Sequence, residues 1–176
     1  MRRLVYGLER DSILAIEMIM VGVIGASKAD STLCAVAEEV GEELASQGAA
    51  IVCGGLSGVM EAVCKGARKN DGITIGIIPS DRREDANPYV QIPIVTGIGM
   101  ARNAIITRTA DVVIAIGGQF GTLSEMGYAL NMGKNVIALN SWRLEKASDR
   151  PIPNLIHVEG AREAVDAALN AIEAKE

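Results

Sequence analysis

The sequence predicts an α/β protein in which a doubly wound, mostly parallel sheet carries helices on both faces. Short apolar runs rich in β-branched residues recur along the chain, and helical patterns lie between most of them. Runs in which successive residues are all apolar are typical of strands buried on both faces of a parallel sheet. Alternation of strands and helices favours right-handed crossovers in one open sheet. Glycine turns after several of these runs agree with the same fold.

The strands and helices are predicted in order along the chain. The strands are 19–24, 50–53, 74–78, 111–116 and 135–139. The helices are 31–47, a second from Ser57 or Gly58 to just before Asn70, a third from near Met100, 123–132 and 161–175. The first helix shows the pattern most clearly, because its apolar residues form one stripe and its glutamates face water. Glycines directly after the first and fourth helices end them.

Residues 79–93 form a polar segment punctuated by prolines, directly after the third predicted strand. Loops at the carboxyl ends of strands in such sheets often carry function. We therefore expect this segment to lie over a ligand cleft. A plain solvated loop is the alternative.

Length and composition indicate one domain, residues 19–176. Of the 176 residues, 49% are hydrophobic and only 3% aromatic, so aliphatic side chains must fill the core. A net charge of −5 argues against binding a nucleic-acid backbone, which requires a dense basic surface. Three cysteines without a C-x-x-C pair, and a single histidine, predict reduced structural thiols and no metal site.

Residues 1–18 are predicted to be an N-terminal extension. Two arginines precede a short apolar run in the manner of a signal peptide, but Glu9 interrupts the run. The next run, 13–26, contains a glutamate and is too short to span a bilayer. We expect a cytoplasmic protein without membrane contact. Translation from Met18 or Met20 would make the leader an extra segment, and an added strand or interface helix is the alternative.

Three glycine turns are predicted at the same edge of the sheet. They begin at Gly25, Gly54 and Gly117, each directly after a strand. Glycine lets the backbone approach a ligand without a Cβ in the way, and the first turn of the next helix offers free N–H groups and the positive end of its dipole. One such turn is weak support. Three at one edge predict a pocket for a phosphorylated, nucleotide-sized ligand.

Other phosphate-binding and catalytic motifs are missing. The first turn lacks G-x-G-x-x-G, and the second strand ends in Cys53-Gly54-Gly55 instead of a ribose-binding acid, so NAD is not expected. No lysine precedes Thr122, which excludes a Walker loop. The lone His157 has no G-x-S-x-G elbow beside it, which argues against Ser/His/Asp hydrolysis.

Arg102 and Glu125 are the candidate catalytic residues. Arg102 lies three and four residues before Ile105 and Ile106, so it shares their inward stripe at the cleft end of a helix. Pairing with a neighbouring carboxylate is the alternative role. Thr122 to Glu125 also matches a capping box, in which threonine and glutamate satisfy backbone donors. Glu125 is predicted to act as an acid/base or to stabilise an oxocarbenium-like transition state, and this role can coexist with capping.

Four motifs carry a resemblance to a known family. They are Gly54-Gly-Leu-Ser-Gly-Val-Met-Glu61, Asn87-Pro-Tyr-Val90, Gly99-Met-Ala-Arg-Asn103 and Gly117-Gly-Gln-Phe-Gly-Thr-Leu-Ser-Glu125. Over residues 21–142 the chain resembles the LOG-type Rossmann-like proteins, often labelled "possible lysine decarboxylase". The match is strongest to a subgroup of small members that also resemble a molybdenum cofactor carrier protein.

The resemblance implies a Rossmann-like fold, a homodimer or higher homo-oligomer, and a site for a nucleoside 5′-monophosphate such as AMP. LOG enzymes hydrolyse the N-glycosidic bond and release base and ribose 5-phosphate, and no cofactor is required. By motif, Arg102 matches the catalytic arginine and Glu125 the catalytic glutamate. The candidate ligand-binding residues are Gly25, Ser27, Gly54, Gly55, Gly58, Met60, Asn103, Gly117, Gly118, Gly121 and Thr122.

The chain departs from the family pattern at positions that bear on the chemistry. Gly117 and Gln119 replace a proline and a glycine of the phosphate turn, and Asn103 replaces the lysine that follows the arginine. Loss of that lysine removes a cation from the pocket. The alternative to an N-glycoside hydrolase is therefore a non-catalytic carrier or sensor of a phosphorylated cofactor such as the molybdenum cofactor, a phosphorylated pterin.

Lysine decarboxylation is not expected, in spite of the family label. Pyridoxal phosphate chemistry requires a Schiff-base lysine. Of the six lysines, only Lys28 is predicted to lie near the cleft.

Overall fold

The computed structural model of the chain describes residues 18–145 and 150–174. The predicted extension, residues 1–18, lies outside these ranges except for its last residue, Met18. The described residues form one sheet with helices on both faces, which confirms the predicted fold class.

The part of the sheet formed by the described residues has seven parallel strands. They are β1 Met20–Gly25, β2 Ala50–Cys53, β3 Thr74–Ile78, β4 Ile92–Val95, β5 Val112–Ile116, β6 Val136–Leu139 and β7 Leu155–Val158. Their order across the sheet is β4-β3-β2-β1-β5-β6-β7, and every neighbouring pair is parallel. Because β1 pairs with β2 on one side and β5 on the other, the winding reverses between β1 and β5. A ligand cleft is expected at this reversal, outside the carboxyl ends of the strands.

All five predicted strands are present, within one residue at each end. The two edge strands, β4 and β7, were not predicted. β4 contains Pro93, which has no N–H to donate to a ladder and is tolerated because β4 is an edge strand. β7 contains His157 and is half exposed, so its sequence lacks the continuous apolar run of a strand buried on both faces. Edge strands lose the pattern that marks the centre of a parallel sheet.

Within the described ranges, five helices flank the sheet. They are α1 Ser31–Ser46, α2 Val59–Lys69, α3 Asn103–Thr109, α4 Phe120–Asn131 and α5 Ala161–Glu173. Short 3-10 turns lie at Arg83–Asp85 and Gly99–Arg102. Residues of α1, α2 and α5 share one aliphatic core with one face of the sheet, and residues of α3 and α4 share a second core with the other face. The predicted third helix thus begins as a 3-10 turn and becomes α-helical only at Asn103.

Candidate functional site

A cleft of about 320 Å³ opens where the winding reverses. Its walls come from the carboxyl ends of β1 and β2, the 3-10 turn before α3, and the first two turns of α4. This is the predicted position. The cleft has a polar end at α4, and several apolar side chains also line it.

The start of α4 provides the polar end. Gly117 and Gly118 have φ angles of 55° and 103°, a region that L side chains rarely adopt. A Cβ on Gly118 would strike the side chain of Thr122, so glycine is required here for space as well. The turn leads into α4, whose first N–H groups have no partner within the helix. Gly121 and Thr122 from this first turn line the cleft.

Arg102 and Glu125 meet beside this turn. Arg102 ends the 3-10 turn, and Glu125 lies on the second turn of α4. Arg102 Nη1 lies 3.5 Å from Glu125 Oε1, and both side chains are at least nine-tenths buried. Arg102 also donates through Nη1 to Asn103 Oδ1 and through Nη2 to the carbonyl oxygen of Gly54 at 3.5 Å. Both roles left open for Arg102 are thus compatible with its place, since it pairs with a carboxylate and lines the cleft.

One donor of this arginine is unused. Arg102 Nε is buried and has no hydrogen-bond partner among the described residues. A buried unsatisfied donor is unfavourable, and an anion that enters the cleft is one way to satisfy it.

Burial shifts the pKa values of Arg102 and Glu125 in the directions that disfavour their charged forms. Burial raises the pKa of Glu125 to about 7, against the attraction of Arg102. Burial also lowers the pKa of Arg102, and the charge of Glu125 opposes this. An acid with a pKa near 7 is able both to donate and to accept a proton at neutral pH.

The capping box predicted for Thr122 and Glu125 is not formed. The cap residue of α4 is Gln119, and its side chain makes no capping hydrogen bond. Because α4 begins at Phe120, Thr122 already lies inside the first turn and Glu125 inside the second. Glu125 is therefore directed to Arg102 and not to the end of the helix.

Apolar side chains also line the cleft. They are Leu56, Met60, Pro79 and Met100. Flat, flexible and branched apolar side chains of this kind suit a ring system, with the polar groups at α4 left for a phosphate.

The second glycine turn, which begins at Gly54, leaves space for the Arg102 side chain. A Cβ on Gly54 would come within 2.7 Å of the guanidinium carbon of Arg102 and of Met60 Sδ. Asn87 braces the same turn, because its side-chain amide donates to the carbonyl oxygen of Leu56 at 2.9 Å and its N–H donates to that of Gly55 at 2.8 Å. In the sequence, Asn87 stands out only as a member of the Asn87-Pro-Tyr-Val90 motif, directly before a proline.

The polar segment 79–93 meets the cleft and its second glycine turn at two points. Pro79 lines the cleft, and Asn87 forms hydrogen bonds with the second glycine turn. Residues Asp81 to Asp85 are exposed.

Most predicted site residues come together in this cleft. Those that line it are Gly25, Ser27, Gly54, Met60, Arg102, Asn103, Gly121, Thr122 and Glu125. The remaining four are Gly55, Gly58, Gly117 and Gly118, which shape the adjoining turns with positive φ angles but do not line the cleft. Four further lining residues were not predicted, and three of them lie inside the family motifs: Leu56, Met100 and Gln119, with Pro79 outside.

Two of the cysteines lie behind the second turn. Cys53 and Cys64 are fully buried with their sulfur atoms 3.6 Å apart, and neither forms a disulfide. The contact with Cys53, together with burial, raises the pKa of Cys64. Within the described residues, no group of three or more His, Cys, Asp or Glu side chains is placed to hold a metal ion.

None of the described lysines lines the cleft itself. Lys65 and Lys69 pair with Glu38, and Lys134 donates to backbone carbonyl groups. Lys28 lines a surface depression that adjoins the cleft at Ser27. Over the described ranges, no helix has the length and apolar character needed to cross a bilayer.

Residues 18–165 match the family described as SLOG cluster4. The chain belongs to the SLOG cluster4 family. This confirms the resemblance to the LOG-type proteins that the motifs predicted.

Three proteins with named functions are similar to this SLOG cluster4 member in structure or sequence. The structure of the molybdenum cofactor binding protein from Rippkaea orientalis aligns with a TM-score of 0.81 and 32% identity, over 90% of this chain and 99% of that one. The molybdenum cofactor carrier protein of Chlamydomonas reinhardtii aligns with a TM-score of 0.78 and 29% identity, over 88% and 99%. A cytokinin riboside 5′-monophosphate phosphoribohydrolase of Mycobacterium tuberculosis is 32% identical over 66% of this chain and 67% of that protein.

Proposed function

We propose that this SLOG cluster4 protein binds a phosphorylated, nucleotide-like small molecule in the cleft between β1 and β5. The observation that carries the proposal is the junction of the glycine turn with the buried pair of Arg102 and Glu125, 3.5 Å apart. The phosphate binds the free N–H groups at the start of α4. The ring system lies against Leu56, Met60 and Met100.

We further propose that the bound molecule is a nucleoside 5′-monophosphate whose N-glycosidic bond is hydrolysed. Water forms a bond to the anomeric carbon while the bond from that carbon to the base nitrogen breaks. Glu125 takes one proton of the water and passes it to the departing base nitrogen, so the products are free base and ribose 5-phosphate. The charge of Glu125 also stabilises the oxocarbenium-like transition state, and Arg102 orients the substrate.

Two observations support the enzymatic proposal. The pKa of Glu125 lies near 7, which suits proton transfer at neutral pH. The similarity to the mycobacterial phosphoribohydrolase extends over 66% of this chain and 67% of that protein.

The test is incubation of the purified protein with AMP, GMP and CMP and detection of free base by chromatography. We expect base release from at least one nucleotide, and a loss of roughly 100-fold or more in turnover for Glu125→Gln. Glu39→Gln, which removes an exposed carboxylate on α1, is the control and should keep full turnover. Equal turnover of the wild-type protein and Glu125→Gln would remove the catalytic role.

The second candidate function is a carrier of a phosphorylated pterin cofactor. Asn103 favours it, because this residue replaces a cation and its side chain accepts a hydrogen bond from Arg102. The two molybdenum cofactor proteins also align over 99% of their lengths. In this case the same turn binds the phosphate of the cofactor, and Arg102 and Glu125 contact the ligand without chemistry.

Co-purification separates the two candidates. The protein is isolated from a host that makes molybdenum cofactor, and the bound small molecule is identified by mass spectrometry. A retained pterin phosphate with no base release from any nucleotide supports the carrier. Base release without a retained pterin supports the hydrolase.

We also propose that a second copy of the chain covers the edge of the sheet at β4. Ile92, Ile94 and Ile98 are 44–50% exposed there, a cluster that monomers rarely leave in water. Sedimentation of the wild-type protein should give a homodimer or higher homo-oligomer, and Ile92→Glu should shift it toward the monomer. Ile156→Glu on β7, the opposite edge, is the control and should leave the mass unchanged.

A further inference from the structure

The loop after β6 makes side-chain hydrogen bonds to the glycine turn. The Ser141 hydroxyl donates to the carbonyl oxygen of Gly117 at 2.5 Å. The indole N–H of Trp142 donates to the carbonyl oxygen of Gln119 at 3.3 Å. The indole ring also packs against Phe120, with ring centres 5.7 Å apart. Three successive parts of the turn are thus held from one neighbouring loop.

The turn requires such support. Gly117 and Gly118 both adopt positive φ angles, and glycine is the residue whose backbone has the most alternatives to this conformation. The last ladder bond, from the N–H of Gly117 to the carbonyl of Leu139, fixes only the point where the turn leaves the sheet. The N–H groups that would bind a phosphate lie beyond that point.

The loop itself is directed back over the turn by Asn140. This residue has a φ of 49°, a left-handed conformation that asparagine tolerates better than most side chains. Ser141 and Trp142 follow it directly.

We propose that Ser141 and Trp142 are positioning residues, which hold the carbonyl groups of the glycine turn so that the amides at the start of α4 point into the cleft. The proposal rests on the proposed function, because it assumes that a phosphate binds these amides. Neither side chain touches the cleft, so both act through the backbone of the turn.

Affinity for AMP, measured by calorimetry, is the first test. Ser141→Ala and Trp142→Phe each remove one hydrogen bond and keep the packing, so each should weaken binding by about fivefold. Ser141→Thr keeps the hydroxyl and should restore wild-type affinity. Ser46→Ala is the matched control, because Ser46 also donates to a backbone carbonyl, at 2.7 Å, but lies at the far end of α1.

Two further readouts separate positioning from a general structural role. Trp142 is the only tryptophan of the chain, so its emission reports on the turn directly and should change when AMP binds. Amide hydrogen exchange of residues 117–122 should become faster in Ser141→Ala than in the wild-type protein, with exchange elsewhere unchanged. The exchange experiment needs no ligand.

The outcomes are distinguishable. A wild-type protein that binds AMP, with Ser141→Ala and Trp142→Phe within twofold of it, overturns the positioning role alone. Unchanged exchange at the turn in Ser141→Ala also overturns it, whatever the ligand. A wild-type protein that binds neither AMP nor inorganic phosphate contradicts the proposed function, and the positioning role falls with it.

Discussion

Two groups of charged side chains in this protein have opposite electrostatics. In the cleft, Arg102 and Glu125 are buried 3.5 Å apart, and the pKa of Glu125 is raised to about 7. On the surface between α1 and α2, Glu38 accepts from Lys65 at 2.9 Å and from Lys69 at 2.8 Å. The hydrogen bonds from these lysines lower the pKa of Glu38.

The difference shows which effect dominates in each place. Around Glu38, water remains and the partner charges lower the pKa. Around Glu125, loss of water outweighs the attraction of a single partner at longer range. A pair that is unfavourable for folding in this way is typical of a binding or catalytic site.

The largest expected effect is a pH dependence of stability set by Glu125. Its pKa is raised from 4.5 in the unfolded chain to about 7, so between these values the folded protein binds more protons than the unfolded chain. The stability that depends on Glu125 is therefore fully present below about pH 4.5 and is lost as the pH rises through about 7, by roughly 3 kcal/mol. Urea unfolding at a series of pH values measures this. Glu125→Gln should flatten the curve, and a slope that survives this substitution would assign it to another group.

Arg102→Met should have the next largest effect, with a sign that depends on pH. At about pH 8 the substitution leaves the Glu125 carboxylate buried without its partner, and we expect a loss of about 2 kcal/mol in the free energy of unfolding. At about pH 5 Glu125 is neutral, and removal of a buried cation should be neutral or stabilising. Arg162→Met, which removes an exposed partner of Glu43, is the control and should show no such reversal. An equal loss at both pH values would contradict the coupling.

Gly54→Ala should have a smaller effect on stability, concentrated at the arginine. The new Cβ overlaps the guanidinium group of Arg102 and Met60 Sδ, which are the ends of flexible side chains and can move. We expect a loss of about 1–2 kcal/mol and a weaker contact between Arg102 and Glu125. Gly127→Ala in α4 is the control, because its Cβ meets nothing within 4 Å, and it should stabilise the helix by about 0.5–1 kcal/mol. The two free energies of unfolding are compared by urea titration.

A strand or site residue of this protein could be predicted where it leaves a recognisable pattern among neighbouring residues in the sequence. The central strands were predicted because burial on both faces leaves an unbroken apolar run, whereas β4, with Pro93, and β7, with His157, carry no such run. Arg102 and Glu125 were predicted because each belongs to a motif beside a glycine turn. Ser141 was not predicted, since it acts on a carbonyl group 24 residues away and no periodicity marks such a bond.

The smallest expected effect belongs to the surface group. Glu38→Gln removes a carboxylate that both lysines share, and exposed pairs of this kind contribute little because water and salt screen them. The pKa of Glu38 is lowered, so its contribution is present above the pKa of the unfolded chain and lost as the pH falls below about 4.5. The pH range in which the Glu38 contribution changes therefore lies below the pH range for Glu125. We therefore expect Glu38→Gln to destabilise the protein slightly at neutral pH, and this effect should vanish in high salt. The pH dependence of stability due to Glu125 should persist in high salt, because its site is shielded from ions. Urea unfolding at low and high salt checks both, and a salt-sensitive Glu125 slope would mean that the cleft is more open to water than its burial indicates.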